Sequence, residues 1–153
     1  MIDARFAFPR LVALAIGAYV LYFAYPYILT DQLGAMARRG NIPAMTKMLK
    51  YGADVNGRGV TGMTPLMYAA KGGDLDTVNY LIDAGADVDA HTNSESVLMF
   101  AVDGGNFDVV RALLARRVNV NWQSDFGTNA LGVAKEDGQD DIAHTLTSYG
   151  AQG

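Results

Sequence analysis

Apolar residues follow two different patterns along the chain. Residues 11–29 form an uninterrupted apolar run that contains no charged residue. After residue 30, apolar residues recur at the spacing of one helix face, in short segments separated by glycine and polar residues. The first pattern predicts one long apolar helix, and the second predicts a series of short amphipathic helices.

The apolar run predicts an uncleaved transmembrane anchor over residues 11–29, after an N-terminal tail over residues 1–10. A helix of 19 residues spans roughly 28 Å, which is close to the thickness of the hydrocarbon core of a bilayer. A buried helix of a soluble domain and a cleaved signal peptide are the alternatives. The signal peptide is disfavoured because the nearest small-x-small site, residues 35–37, lies beyond the run and inside a predicted helix.

Basic residues flank the predicted anchor on both sides in nearly equal number. Arginines that follow a short N-terminal tail favour a cytoplasmic N-terminus, which puts the domain outside the cytoplasm, in the periplasm if the source is bacterial. Ala13, Gly17 and Ala24 fall on one stripe, and small residues there allow a neighbouring transmembrane helix to approach. The alternative explanation of that stripe is that small residues are common in any apolar span.

The rest of the chain repeats itself with a period of 32–33 residues. Segments that begin at Asp31, Thr64, Ser96 and Asn129 align with one another. The coincident positions are Leu33, Leu66, Leu98 and Leu131, then Gly40, Gly73, Gly105 and Gly138, and then Met48, Leu81, Leu113 and Leu146. Such a period predicts stacked helix pairs that bury their apolar faces against one another.

The second copy carries the most characteristic residues, with TPL at residues 64–66, AA at 69–70 and GADV at 85–88. On these residues, in four copies, the chain resembles the ankyrin repeat family over about 120 residues. The resemblance implies an all-α fold, a short solenoid of about four helix-turn-helix repeats with β-hairpin fingers, after one transmembrane helix. The predicted ankyrin domain covers residues 30–153, with repeats at 31–63, 64–95, 96–128 and 129–151.

Two departures from the ankyrin pattern stand out. The family usually places histidine after TPL, whereas this chain has Met67, Met99 or Gly132, so the polar network of that histidine is in doubt. The third copy has Arg117 where the others have the glycine that ends a helix. Because glycine adopts the left-handed conformation easily, we expect Arg117 to weaken the third repeat.

One loop raises the question of nucleotide binding. Residues 57–62 read GRGVTG, which fits the pattern G-x-G-x-x-G. A dinucleotide site requires a strand before the glycines and a helix after them within a βαβ unit. No strand is predicted before this loop, so we interpret the glycines as turn residues between two repeats.

Other catalytic chemistry is not indicated by the sequence. The chain has no cysteine, and neither His91 nor His144 has a partner at metal-ligand spacing. The acidic residues 137, 140 and 141 are interpreted as a solvated capping face rather than a calcium site. We therefore predict no enzyme activity, and no catalytic, cofactor-binding or metal-binding residue.

Charge is divided unevenly along the chain. Residues 32–71 contain six basic residues and one acid, a net charge of +5, whereas residues 72–153 carry a net charge of −9. The acidic C-terminal part disfavours nucleic acid as a partner and is compatible with a protein partner that has a basic surface. The alternative is that the acidic residues only keep the solenoid soluble.

The ankyrin resemblance implies that a protein partner binds the finger tips and the exposed ends of the first helix of each repeat. The corresponding residues in this chain are Val60, Thr61, Met63, Lys71, Thr92, Asn93, Glu95, Asp103, Asp125, Phe126, Thr128 and Glu136. Trp122 is a further candidate anchor for the interface, and packing between adjacent fingers is the alternative role of its ring.

The sequence thus predicts a membrane-tethered protein–protein interaction module, an adaptor or accessory subunit of a membrane-associated complex, without catalysis. The alternative is an exported ankyrin protein that is released by signal cleavage and protects a periplasmic enzyme. An enzyme would be a third reading and would require a convergent polar pocket.

Overall fold

The computed structural model describes Gly17 and residues 25–153. Eight helices follow one another in this part of the chain, and none of its residues forms a named strand. The helices are α1 (Tyr25–Arg38), α2 (Ile42–Lys50), α3 (Pro65–Gly72), α4 (Leu75–Asp83), α5 (Val97–Asp103), α6 (Phe107–Ala115), α7 (Ala130–Glu136) and α8 (Asp140–Ser148). The predicted all-α solenoid of helix pairs is confirmed.

The helices form two layers. The first helix of each pair packs beside the first helix of the next pair, so that α1, α3, α5 and α7 form an inner layer. In the outer layer α4 contacts α6 and α6 contacts α8, while a hydrogen bond of 2.8 Å between Thr46 and Tyr80 links α2 to α4. Each pair thus completes the apolar face of its neighbour, as expected of a solenoid.

Polar residues begin three of the inner helices. The side chains of Thr64, Ser96 and Asn129 accept hydrogen bonds from the first-turn N–H groups of α3, α5 and α7, at 3.4, 3.3 and 2.8 Å. Met67 stands where the ankyrin pattern has histidine, and its sulfur accepts from the Thr64 N–H at 3.3 Å. The start of α3 is therefore capped from both sides without that histidine.

A single apolar core runs through the described part of the chain, from Leu29 to Ala151. The repeated leucines Leu33, Leu66, Leu98 and Leu131 are all buried at the centre of the inner layer. In the outer layer Leu81, Leu113 and Leu146 are buried, while the aligned Met48 is only half-buried, and Met45 is the buried methionine of α2. The repeat pattern therefore predicts these core positions except in α2, where Met45 is buried instead of the aligned Met48.

The predicted transmembrane anchor requires a correction. Residues 11–16 and 18–24, with Ala13 and Ala24, lie outside the described residues, as does the tail over residues 1–10. Within Gly17 and residues 25–153, no helix is both long and apolar enough to cross a bilayer. This finding contradicts the predicted localisation as a single-pass membrane protein with a periplasmic domain, and that prediction is wrong.

The end of the apolar run has a different structural role from the one predicted. Residues 25–29 open α1, and Leu29 is buried in the same core as Leu33 and Ala37. The apolar character of Leu29 is explained by packing between helices, which a hydropathy pattern does not distinguish from contact with lipid, whereas the neighbouring Ile28 is 46% exposed. The small-x-small site at residues 35–37 lies within α1, and its Ala37 is 1% exposed.

Candidate protein-binding surface

Three loops join the helix pairs, and we call residues 51–64, 84–96 and 116–129 the first, second and third fingers. The second finger contains one antiparallel bridge between His91 and Ser96, and the third contains one between Gln123 and Asn129. The predicted β-hairpins are therefore reduced to single bridges in the second and third fingers. Within the second finger, the Thr92 N–H donates to the carbonyl of Glu95 at 2.8 Å.

Adjacent fingers are tied to each other by hydrogen bonds to backbone carbonyls. The Arg58 guanidinium donates to the carbonyl of Gly62 in its own finger and to that of His91 in the second finger, both at 2.8 Å. The Asp125 N–H of the third finger donates to the carbonyl of Asn93 in the second, at 3.1 Å. The three fingers therefore form one continuous edge of the molecule.

A groove of about 460 Å³ opens between the first and second fingers. It brings together three of the predicted partner-binding residues, and its lining comprises Arg58, Thr61, Gly62, His91, Thr92 and Asn93. The Thr61 hydroxyl lies 2.6 Å from the Tyr68 hydroxyl of α3, which connects the rim of this groove to the inner helices.

The predicted partner-binding residues differ in exposure. Those that are exposed are Val60, Thr61, Lys71, Asn93, Asp103, Asp125, Phe126 and Glu136. Those that are half-buried are Met63, Thr92, Glu95, Trp122 and Thr128. Among the large apolar side chains of the fingers, Val60 and Phe126 are the most exposed, at 78% and 84%.

Trp122 takes part in packing between fingers. Its ring centroid lies 4.9 Å from that of His91, and the two planes are tilted by 34°. A small cavity of about 170 Å³ adjoins this pair and is lined by Asp89, His91, Ser96, Val118, Asn119 and Trp122. Trp122 therefore joins the second and third fingers, whereas Phe126 extends into solvent.

An ion pair connects two predicted residues on the inner helices. The Lys71 ammonium lies 2.7 Å from the Asp103 carboxylate and 5.8 Å from the centre of the Phe100 ring. The hydrogen bond to Asp103 raises the pKa of Lys71 above its usual value, against a smaller opposing effect of desolvation. Burial raises the pKa of Glu95, and the nearby positive charge of Lys71 partly offsets that effect.

The glycine-rich loop lies in the first finger, and its backbone is held by the chain itself. The Gly62 N–H donates to the carbonyl of Gly59 at 2.9 Å, and the Val60 N–H donates to the Asp31 carboxylate at 3.2 Å. An anionic phosphate at this loop would meet that carboxylate. The arrangement fits the turn role that the sequence predicts for these glycines.

Sequence reasoning missed two residues of this surface, Arg58 and Tyr68. Tyr68 lies at the same repeat position as Phe100, two residues after the buried leucine of its inner helix, so the repeat alignment contained a signal for it. No comparable signal marks Arg58, because its acceptors are backbone carbonyls whose positions depend on how two fingers pack.

Comparison with known families agrees with this architecture. A family model described as ankyrin repeats (3 copies) matches residues 32–92 and 89–153. The chain belongs to the ankyrin repeat family. Its ankyrin repeats account for the paired helices, the protruding fingers and the shared core.

Several curated proteins are similar to this ankyrin chain. The ankyrin repeat and KH domain-containing protein mask-1 of Caenorhabditis elegans is 34% identical over 116 residues, which is 74% of this chain and 4% of that protein. The transient receptor potential cation channel subfamily A member 1 homolog of Caenorhabditis elegans is 30% identical over 124 residues, 78% of this chain and 10% of that protein.

A shorter relative matches with higher identity. Protein phosphatase 1 regulatory subunit 27 of Mus musculus is 47% identical over 51 residues, which is 33% of this chain and 33% of that protein. This ankyrin chain thus spans a small part of each of these relatives. The ankyrin repeats of this chain imply a module for protein–protein interaction.

Proposed function

We propose that this ankyrin chain is a non-catalytic adaptor or accessory subunit that binds a protein partner through its three fingers and the exposed ends of its inner helices. The observation that carries the proposal is Phe126, whose ring is 84% exposed at the tip of the third finger. A ring this accessible contributes little to the core, and aromatic residues are frequent anchors in protein interfaces.

Further support comes from the hydrogen bonds that hold the fingers in place relative to one another. Val60 is the second exposed apolar tip residue, and hydrogen bonds from Arg58 and Asp125 link the fingers that carry these tips. A linked surface needs little reordering when a partner binds, which favours affinity. The relative named as a regulatory subunit of protein phosphatase 1 is compatible with an accessory role for a chain of this family.

Site-specific photo-crosslinking tests the proposal. A photoreactive amino acid is placed at Val60, at Phe126 or at Asp108, and the full chain is irradiated in an extract of the source organism. Asp108 is the matched control because it is exposed on α6 in the outer layer. We expect the same discrete protein adduct at positions 60 and 126 and none at position 108.

A second variant shows whether the tip residue contributes to affinity. We expect Phe126→Ala to reduce the adduct at position 60 by about tenfold, which corresponds to about 1.4 kcal/mol of binding free energy. Its melting temperature should stay unchanged because the ring is exposed. The proposal fails if position 108 crosslinks as strongly as position 126, or if neither tip yields a discrete adduct.

A further inference from the structure

The inner layer carries a row of charged residues at one repeated position. Arg38, Lys71, Asp103 and Glu136 each lie five residues after the buried leucine of their helix, in the last turn of α1, α3, α5 and α7. All four are exposed. Along this charge row the sign is positive on the first two helices and negative on the last two.

The contact between Lys71 and Asp103 shows that the two middle members of the charge row are within reach of each other. Their 2.7 Å ion pair stands where the sign changes, between α3 and α5. In the part of the chain that the structure describes, neither Arg38 nor Glu136 forms an ion pair. The two ends of the row are therefore available to charges on another molecule.

A carboxylate beside the row extends its acidic half. Glu95 lies at the base of the second finger, close enough to Lys71 and Asp103 for their charges to affect its pKa. The one ammonium group of Lys71 contacts Asp103 at 2.7 Å. Glu95 forms no ion pair in the described part of the chain, so the acidic half has a surplus of negative charge.

A surface whose charge changes sign halfway discriminates between partners by charge order. A uniformly basic or uniformly acidic segment is attracted to one half and repelled by the other, so the two contributions oppose each other. A segment with the opposite charge order is attracted along its full length. The gain is largest at low salt because the exposed charges are screened within about 10 Å at 0.1 M ionic strength.

We propose that the charge row selects a protein segment with acidic residues facing Arg38 and Lys71 and basic residues facing Asp103 and Glu136. This inference rests on the proposed function, because it names the chemistry of the partner that the surface binds. It attributes to the ends of the four inner helices a role in selecting the partner that the finger tips alone do not provide.

Two synthetic peptides of identical composition test the charge order. One has all its glutamates in one half and all its lysines in the other, and the second has them in alternation. Binding of each labelled peptide to the full chain is measured by fluorescence anisotropy. We expect the segregated peptide to bind at least about tenfold more tightly at low salt, and the difference to vanish near 1 M salt, where the Debye length is about 3 Å.

A neutralised variant and a matched control locate the effect. Asp103→Asn with Glu136→Gln removes the acidic half of the row, and Asp76→Asn with Asp108→Asn removes the same charge from exposed positions of α4 and α6. We expect the first variant to lose the preference for the segregated peptide and the control to keep it. Circular dichroism is used to check that both variants remain folded.

Equal binding of the two peptides to the wild-type chain would overturn the assignment, and so would a control that loses the preference as fully as the row variant. The photo-crosslinking experiment separates this failure from that of the proposed function. If the adduct at Val60 and Phe126 persists while the peptides bind alike, the charge row is not the selector but the interaction module stands. If no adduct forms, the proposed function itself fails.

Discussion

At the scale of single residues, Arg117 adopts a backbone conformation that the other helix pairs give to glycine. Its φ is 61°, and the equivalent Gly52, Gly85 and Gly150 have φ values of 93°, 95° and 91°. Arg117 is the one non-glycine residue with positive φ in the described part of the chain. The turn after α6 is thus retained with a side chain that is strained there, as the sequence predicts.

We expect Arg117→Gly to stabilise the protein, because it removes this strain. The free energy of unfolding, measured by urea denaturation, should rise by about 1 kcal/mol. This gain is smaller than the full strain energy, because glycine also has more conformational freedom in the unfolded chain.

The reciprocal change provides the control for that measurement. Gly85→Ala should lower the free energy of unfolding by about 1 kcal/mol. A β-carbon built at Gly85 meets no atom within 4 Å, so the loss would come from the backbone and not from a clash. A result in which Arg117→Gly leaves stability unchanged or reduces it would contradict the strain interpretation.

At the scale of elements, asparagine side chains connect consecutive helix pairs. Asn56 donates to the carbonyl of Gly85 at 3.0 Å and accepts from the N–H of Asp87 at 2.7 Å. Asn121 makes the corresponding two bonds with the last helix pair, at 3.1 and 2.8 Å. One side chain thus serves as donor and acceptor across each of these junctions.

The middle junction differs because it has an aspartate at this position. Asp89 accepts from the N–H of Asn119 at 2.6 Å, but an ionised carboxylate has no donor for the carbonyl of Arg117. The same junction therefore combines the strained Arg117 with a missing hydrogen bond. At this position the junction between the second and third helix pairs therefore has one hydrogen bond where the other two junctions have two.

We expect Asn56→Asp to lower the free energy of unfolding by about 1 kcal/mol, because it keeps the acceptor and removes the donor to Gly85. Thermal and urea unfolding both measure this loss. Asn119→Asp is the matched control, since the Asn119 side chain only accepts, from the N–H of Asn121. The interpretation is wrong if the two variants lose the same stability.

Sequence reasoning predicts the helix pairs because their apolar spacing and capping residues are local signals. Thr64 and Leu66 mark a helix start and a core position without reference to the rest of the fold. The prediction of localisation was wrong because it relied on hydropathy, which is equal for Leu29 in a protein core and for a leucine in lipid. The packing of Trp122 on His91 depends on the approach of two fingers, which no local pattern specifies.

At the scale of the whole molecule, the shared core predicts cooperative unfolding. Leu98 is fully buried in α5, midway along the inner layer, and each helix pair covers the apolar face of the next. We expect Leu98→Ala to lower the free energy of unfolding by about 2–5 kcal/mol. Helical circular dichroism and the fluorescence of Trp122, the single tryptophan of the chain, should report coincident urea transitions.

Val60→Ala is the control for this prediction, because an exposed finger residue should shift neither transition. If the Trp122 signal changes at a urea concentration where circular dichroism does not, the helix pairs unfold separately. That outcome would show that the contacts between pairs are too weak to couple them.

The link that Arg58 makes between the first two fingers has an entropic consequence. A loop that is free in the unbound protein loses conformational freedom when a partner holds it, and that loss reduces affinity. Because Arg58 already joins Gly62 to His91, this ordering occurs when the chain folds and not when a partner arrives. Removing the guanidinium would therefore weaken binding even for a partner that never touches Arg58.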